Sequence, residues 1–410
     1  MLADTTALLA GALFLCSVLY SVQEIQRARG VDYYQFWVMS RAAASPASDS
    51  LYSVETSRQI GLEYLDRARS SPESSRIREA AEWNQQTNPD VLDPISTPFY
   101  YAAVGSITTG EYDRDYWVYQ ALGSVAFVLG LIALCRMYHY PWPAALLAAT
   151  LVLLWFGPLH SDVQAANVNR LQFAALVGVL LLLRRNDARG FTLGGLALAL
   201  LVVFKPNLAL VPVLLVATWA ILGRVRDLKF GAAGLAAGST LGFLVGSWLF
   251  GSVHCWPDWL GVTQRLLSKP YPIENFNVSL ATLIYSNTGL NVSVWLTLGI
   301  MASYCACVFR GKPRGDSDLL AIGAGCIIPL ISVAIAWDHY FLLTLPLLLY
   351  FLRPESELLE RLLALAALLL IAQSPLNLIL PLQSAQQVAI GFAISTTALL
   401  VLSLRRVSRG

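Results

Sequence analysis

Apolar runs long enough to cross a bilayer recur along almost the whole of this 410-residue chain, and they constrain its fold more than any motif does. A helix needs roughly 20 apolar residues, within a range of about 17–25, to span the hydrocarbon core. Residues 5–22, 116–135, 143–159, 171–183, 230–250, 290–309, 319–337, 358–372 and 385–404 are the clear candidates. The stretch 190–222 is too long for one crossing and breaks at Lys205-Pro206, so it reads as two short spans joined by an outer turn. The stretch 321–352 is interrupted at Trp337-Asp338-His339 in the same way. The expected fold class is an all-α polytopic membrane protein, a bundle of about 12 transmembrane helices. The first apolar run lacks a basic flank and a small-residue cleavage site, so it reads as a retained anchor rather than a signal peptide.

Composition supports lipid as the solvent. Charged residues make up 13% of the chain, against about 25% in soluble domains. A net charge of +2 gives no reason to expect nucleic acid as a partner. Cys16, Cys135, Cys305, Cys307 and Cys326 fall in apolar segments and only Cys255 in a loop, so no disulfide framework is implied.

Basic residues fix an expected orientation. Arg136, then Arg184, Arg185 and Arg189, then Arg224, Arg226 and Lys229 follow alternate spans. The phase continues with Arg310, Lys312 and Arg314, with Arg353 and Arg361, and with Arg405, Arg406 and Arg409. The opposite short loops hold only Arg170, Lys205, Arg265 and Lys269. The positive-inside rule then puts both termini in the cytoplasm of a multi-pass plasma-membrane protein. The other face receives the long segment 23–97, the loops 160–170 and 251–289, the Lys205 turn and 337–340. Within the first of these, 53–69 and 75–86 read as short amphipathic helices lying along the membrane surface. The apolar stretch 98–108 is too short to span and is expected to dip into the interface.

That face also holds the residues able to carry chemistry. Asp32 lies in Gly30-Val31-Asp32-Tyr33-Tyr34-Gln35-Phe36-Trp37. A carboxylate among aromatics at the membrane surface is partly desolvated, which raises basicity, and rings such as Tyr33 and Tyr34 can hold a sugar; a helix cap or interfacial anchor is the plainer use. Lys205 sits at the mouth of a span, with Pro206 suited to open the next helix and Asn207 behind it. An ammonium beside a helix N-terminus is an anion site, though snorkelling lysines are common. Asp338 and His339 interrupt an apolar run, where ionisable groups tend to be functional; a locally satisfied Asp–His pair is the alternative. Asn167, Asn169, Arg170 and Gln172 form a polar cluster at the start of a span, and Asn275, Asn277 and Ser279 precede a short helix at 280–285. Either group can be capping, the commoner use of Asn and Ser. Four widely separated histidines, and no second carboxylate within two residues of Asp32, argue for no metal and no cofactor.

Taken in order, these elements resemble the GT-C superfamily of membrane glycosyltransferases. The nearest likeness is to its bacterial alpha-mannosyltransferase-like family, of GT87 type, whose members include a mycobacterial phosphatidylinositol-mannoside mannosyltransferase. The likeness runs from Asp32 to about residue 349. Gly30-Val31-Asp32-Tyr33-Tyr34 with Leu51-Tyr52 resembles the family's first-loop motif, and Asn169-Arg170-Leu171-Gln172 its polar start to a span. Residues 194–206, ending Phe204-Lys205-Pro206, resemble its Gly-rich helix; Asn277-Val278-Ser279-Leu280 and Trp337-Asp338-His339 resemble two further elements. Val278 replaces a usual Gln, and a Gly-Gln before the polar span is missing.

The resemblance implies a single GT-C-like domain over 1–410 whose loop 23–97 carries the catalytic Asp32. It implies a polyprenyl-phosphate sugar donor, with mannose the expected sugar, and transfer with inversion to a glycolipid or glycan acceptor on the extracytoplasmic face, among membrane lipids. Asp32 would be the base, and Lys205, His339 and Asn207 would hold the donor phosphate. Tyr33, Tyr34, Asn169, Arg170, Gln172, Asn275, Asn277, Ser279 and Asp338 would bind substrate. The competing classes are a transporter or flippase for a lipid-linked sugar, and a surface-polysaccharide polymerase or ligase. A carrier needs its polar groups near the bilayer midplane, whereas these crowd one face.

Overall fold

In lipid every backbone polar group needs an internal partner, and this chain meets that demand with helices. The computed structural model describes residues 2–43, 51–73, 75–87, 92, 94–268, 272–273, 277–311, 315–373 and 384–409. Among them no strand occurs, only the isolated bridges Phe156 to Gln373 and Asn277 to Trp337.

The chain opens with α1 (Leu2–Arg27), α2 (Val31–Ala43), α3 (Val54–Arg69), α4 (Arg76–Thr87) and α5 (Pro98–Ile107). Then come α6 (Tyr112–Met137), α7 (Trp142–Trp155), α8 (Gly157–Ala165), α9 (Asn169–Arg184) and α10 (Ala188–Phe204). A 3₁₀ turn at Pro206–Leu208 leads to α11 (Leu210–Ile221), α12 (Val225–Leu249), α13 (Cys255–Leu267) and α14 (Leu280–Thr288). After α15 (Ser293–Gly311) and α16 (Ser317–Ser332), a second 3₁₀ segment (Asp338–Thr344) runs into α17 (Leu345–Leu352), followed by α18 (Leu358–Ala372) and α19 (Ala385–Ser408).

Among the described residues, α1 (from Thr5), α6, α12, α15 and α19 are each long and apolar enough to cross a membrane, and α8 with α9 adds a sixth if counted as one bent span. Five further apolar helical segments are shorter, at 10–17 residues. On the long helices, Leu8 (75% exposed), Phe309 (68%) and Trp295 (75%) point outward, which only an apolar solvent makes favourable.

Three local departures from the expected loops matter. Asp32 stands in the first turn of a helix rather than in an irregular loop. Tyr33, Tyr34, Phe36, Trp37, Val38 and Met39 are all buried, and a helix buried on most of its sides shows little amphipathic period. The stretch beginning at His160 belongs largely to α8, whose Pro158 suits its first turn. α8 bends 119° against α9, and its polar tetrad His160, Ser161, Asp162 and Gln164 hides it from an apolar-run reading. The segment following α12 contains α13, which packs on α5 and holds Cys255. All six cysteines are free.

α10 and α12 are the most closely packed pair, through a glycine stripe. A Cβ at Gly234 would lie 2.0 Å from the Thr192 carbonyl, one at Gly238 2.5 Å from that of Leu196, and one at Gly195 2.3 Å from that of Gly231. Small residues let backbones approach where no hydrophobic effect drives helix association. The same stripe reaches α5, since a Cβ at Gly246 would sit 2.9 Å from the Phe99 nitrogen. Thr97, the N-cap of α5, donates to the carbonyls of Val203 (2.6 Å) and Phe204 (3.1 Å). The first loop is thereby tied to the end of α10, one residue before Lys205.

Candidate active site

Four segments meet there: the start of α2, the α8–α9 elbow, the Lys205 turn and the 3₁₀ segment from Asp338. Gly30 sets the first of these. Its φ of +70° places it in the left-handed region, its N–H donates to the Gln164 carbonyl (3.0 Å), and a Cβ would lie 2.4 Å from the Tyr116 ring. α2 therefore starts directly beside α8, and Asp32, half-buried, faces the elbow.

The elbow is built on Asp162, fully buried at the end of α8. Its Oδ1 accepts from the Asn169 backbone N–H (3.2 Å) and Nδ2 (2.9 Å), and its Oδ2 accepts from Arg170 Nε (2.8 Å). Arg170 is 1% exposed and spends its other nitrogens on Ser124 Oγ (2.8 Å) and Gln120 Oε1 (2.5 Å). Gln120 in turn donates to Tyr116 Oη (2.9 Å) and the Val163 carbonyl (3.0 Å). Arg170, expected at the substrate, is thus enclosed in an internal network with a buried ion pair. Gln172 is likewise buried and exchanges amide hydrogen bonds with Asn207 at 2.9 and 3.4 Å.

Asn167 joins the two charged residues of the site. Its Nδ2 donates to Asp32 Oδ2, and its Oδ1 accepts from Lys205 Nζ at 2.6 Å. Lys205 Nζ also lies 4.6 Å above the Tyr340 ring, a cation–π contact. Lys205 stands in the turn between α10 and the following 3₁₀ residues, outside either helical segment. Burial there pulls its ammonium down to about 8, partly offset by the nearby carboxylates of Asp32 and Asp162.

Asp338 accepts from Ser161 Oγ (2.7 Å) and from the His339 N–H (2.7 Å), which locks the second 3₁₀ segment onto α8. The His339 ring is 3.5 Å from the Asp338 carboxylate at Nδ1, and its buried Nε2 has no hydrogen-bond partner among the described residues. Two more buried atoms of the expected set share that condition, Asn169 Oδ1 and Tyr34 Oη. Buried polar atoms are rarely left unpaired, so these three are the groups with hydrogen-bonding capacity to offer. Tyr33 stacks on Tyr119 at 4.5 Å. Burial pushes both the Tyr33 and Tyr34 hydroxyls well above the ordinary tyrosine range, so they are donors and not bases.

Asn277 and Ser279 do a different job. Asn277 donates to the Ala334 carbonyl (2.7 Å) and accepts from the Ala336 N–H (2.8 Å), while Ser279 caps α14 and donates to the Val333 carbonyl (2.8 Å). They fasten the strand-like stretch before Trp337 and so carry the Asp338–His339 segment. Asn275 lies outside the described residues, as do Lys269, Lys312 and Arg314 of the charge pattern. No grouping of three or more metal-ligating side chains occurs among the described residues.

The structure brings Asp32, Lys205, Asn169, Asp338 and His339 around one elbow, with Arg170, Gln172, Asn277 and Ser279 behind it. Asp162, Ser161 and Tyr340 also belong to this arrangement, although their sequence context does not single them out. For Asp162 the available signal was a carboxylate eight residues before an arginine, in a polar stretch between two apolar runs.

Against known proteins, the model of glycosyltransferase family 87 matches residues 96–333. No curated protein and no solved structure matches the chain. The matched region contains the elbow, the Lys205 turn and the glycine-packed helices that carry them, more than half of the sequence. With an all-helical membrane architecture around that region, the chain belongs to glycosyltransferase family 87.

Proposed function

We propose that the protein transfers a sugar, mannose on the family likeness, from a polyprenyl-phosphate donor to a lipid-linked or glycan acceptor, at the extracytoplasmic face and with inversion. The observation that carries this reading is a carboxylate and an ammonium held by the two ends of one amide, Asp32 through Asn167 to Lys205. An acceptor hydroxyl attacks the anomeric carbon while Asp32 takes its proton. The bond from that carbon to the phosphate oxygen breaks, and polyprenyl phosphate leaves with the electron pair. A phosphate leaving group needs no strong general acid, only neutralisation of its charge, which Lys205 and the free Nε2 of His339 are suited to give. Asn207, held by Gln172, supports the turn that presents Lys205.

The spread of roles differs from a plain substrate shell. Tyr33, Tyr34, Asn169 and Asp338 border the acceptor and sugar, whereas Arg170, Gln172, Asn277 and Ser279 act by holding the segments in place. Membership of a glycosyltransferase family favours group transfer over carriage of a lipid-linked sugar.

Purified protein given radiolabelled polyprenyl-phosphate mannose and a membrane lipid extract should form a labelled glycolipid. Asp32→Asn keeps the shape and the hydrogen bond but not the proton acceptor. Turnover should fall by about 10²–10⁴-fold with donor binding retained. An Asp32→Asn protein that transfers at the wild-type rate would remove Asp32 from the mechanism and move the search for a base to Asp338.

A further inference from the structure

We infer that Asn167 is a positioning residue that keeps the proposed base and the proposed phosphate-binding cation apart, each hydrogen-bonded yet neither neutralised by the other; this rests on the function proposed above. The amide has one orientation. Its Oδ1 accepts from Lys205 Nζ (2.6 Å), the Val168 N–H (2.7 Å) and Asn169 Nδ2 (3.2 Å), so a flipped amide would set its NH₂ against three donors. With Oδ1 fixed, Nδ2 must face Asp32, to which it donates.

The backbone holds the side chain to that task. Ala166, immediately before it, is fully buried in the left-handed conformation at φ 53° and ψ 47°, a strained state for a residue with a Cβ. The Asn167 N–H closes the turn on the Asp162 carbonyl at 3.0 Å. Strain of this kind persists where surrounding contacts over-determine it.

The chemical need is specific. A direct Asp32–Lys205 ion pair would weaken the carboxylate as a proton acceptor and occupy the ammonium meant for phosphate. A neutral amide between them donates to the anion and accepts from the cation, so both charges are stabilised and both remain able to act. The other charged and titratable groups around this spot are Asp162 from α8, paired with Arg170, Asp338 and His339 from the second 3₁₀ segment, Tyr340 beneath Lys205, and Tyr100 from α5.

Asn167→Asp separates this role from simple packing. It keeps an oxygen for Lys205 and Val168 but turns a second carboxylate oxygen toward Asp32. The acid limb of the kcat–pH profile should move up by about one unit or more, as when two carboxylates share a site, and donor KM should rise, because the new carboxylate pairs with the Lys205 ammonium. Asn167→Ala removes both bonds, so kcat should fall and donor KM rise together, each by roughly 10- to 100-fold, with polyprenyl phosphate binding weakened in step. Thermal unfolding of both variants, and Asp32→Asn and Lys205→Ala in the same polyprenyl-phosphate mannose assay, complete the set. An unmoved acid limb in folded Asn167→Asp, or wild-type kcat and KM in Asn167→Ala, overturns the inference while an inactive Asp32→Asn leaves the proposed function standing. Wild-type turnover by Asp32→Asn removes both.

Discussion

Arg170→Met is the substitution that most directly separates an internal role from a substrate contact. The guanidinium is 1% exposed and its partner Asp162 is fully buried. Methionine matches the length of the stem but leaves the Asp162 carboxylate with only Asn169 as donor, and leaves Gln120 Oε1 and Ser124 Oγ without the partner they have now. Removing one member of a buried ion pair costs about 3–5 kcal/mol, because the surviving charge stays desolvated. That loss is a large share of the stability of a typical folded domain, so the variant should show a clearly lowered thermal midpoint in detergent and a reduced folded yield. The molecules that do fold should keep donor KM near wild type, since the guanidinium is committed to Asp162, Ser124 and Gln120. Adding Asp162→Leu should regain part of the stability, because replacing both members of a buried pair is far less costly than orphaning one. Thermal unfolding followed by fluorescence-detected gel filtration, with kinetics on the monodisperse fraction, reads both quantities. A fully stable Arg170→Met protein with sharply weakened donor binding would refute the reasoning and return Arg170 to the substrate.

Lys205 supplies a pH signature. With its ammonium at about 8 in the free protein, the cation is fully present below that pH and is lost above it, so donor kcat/KM should decline as pH rises through about 8. Lys205→Arg should abolish that limb, since a guanidinium stays charged throughout, and restore only part of the affinity missing in Lys205→Ala; a limb that persists in the arginine variant assigns it to another group. Orientation is checked by single cysteines read with an impermeant thiol reagent. Positions Ser71 and Ser268 should label from outside and Asp187 and Ser317 should not, and the reverse pattern would put the site on the cytoplasmic face.

Features governed by a few neighbouring residues were legible in the sequence. The break at Lys205-Pro206 separates α10 from the 3₁₀ turn because proline cannot donate to the preceding helix. Ser53 caps α3 through its own hydroxyl, and the first-loop helices start and stop within a residue of where their polar starts place them. Apolar periodicity and composition are poor guides to two of the helices that build the site. α2 is buried on most of its sides, and α8 is too polar to look like part of a membrane protein's interior.

The sequence by itself determined the solvent, the helical class and the residues rich enough in chemistry to form a site, because hydropathy, charge placement and proline act locally along the chain. Only the tertiary structure decided what each of those residues does. Arg170 became a buried strut because Asp162, Gln120 and Ser124 converge on it from two other helices. Asn167 became the link between Asp32 and Lys205, 135 and 38 residues away. Roles of that kind depend on desolvation and on angles between groups from distant segments, and neither exists until α10 and α12 close on their glycines and α8 folds back against α2.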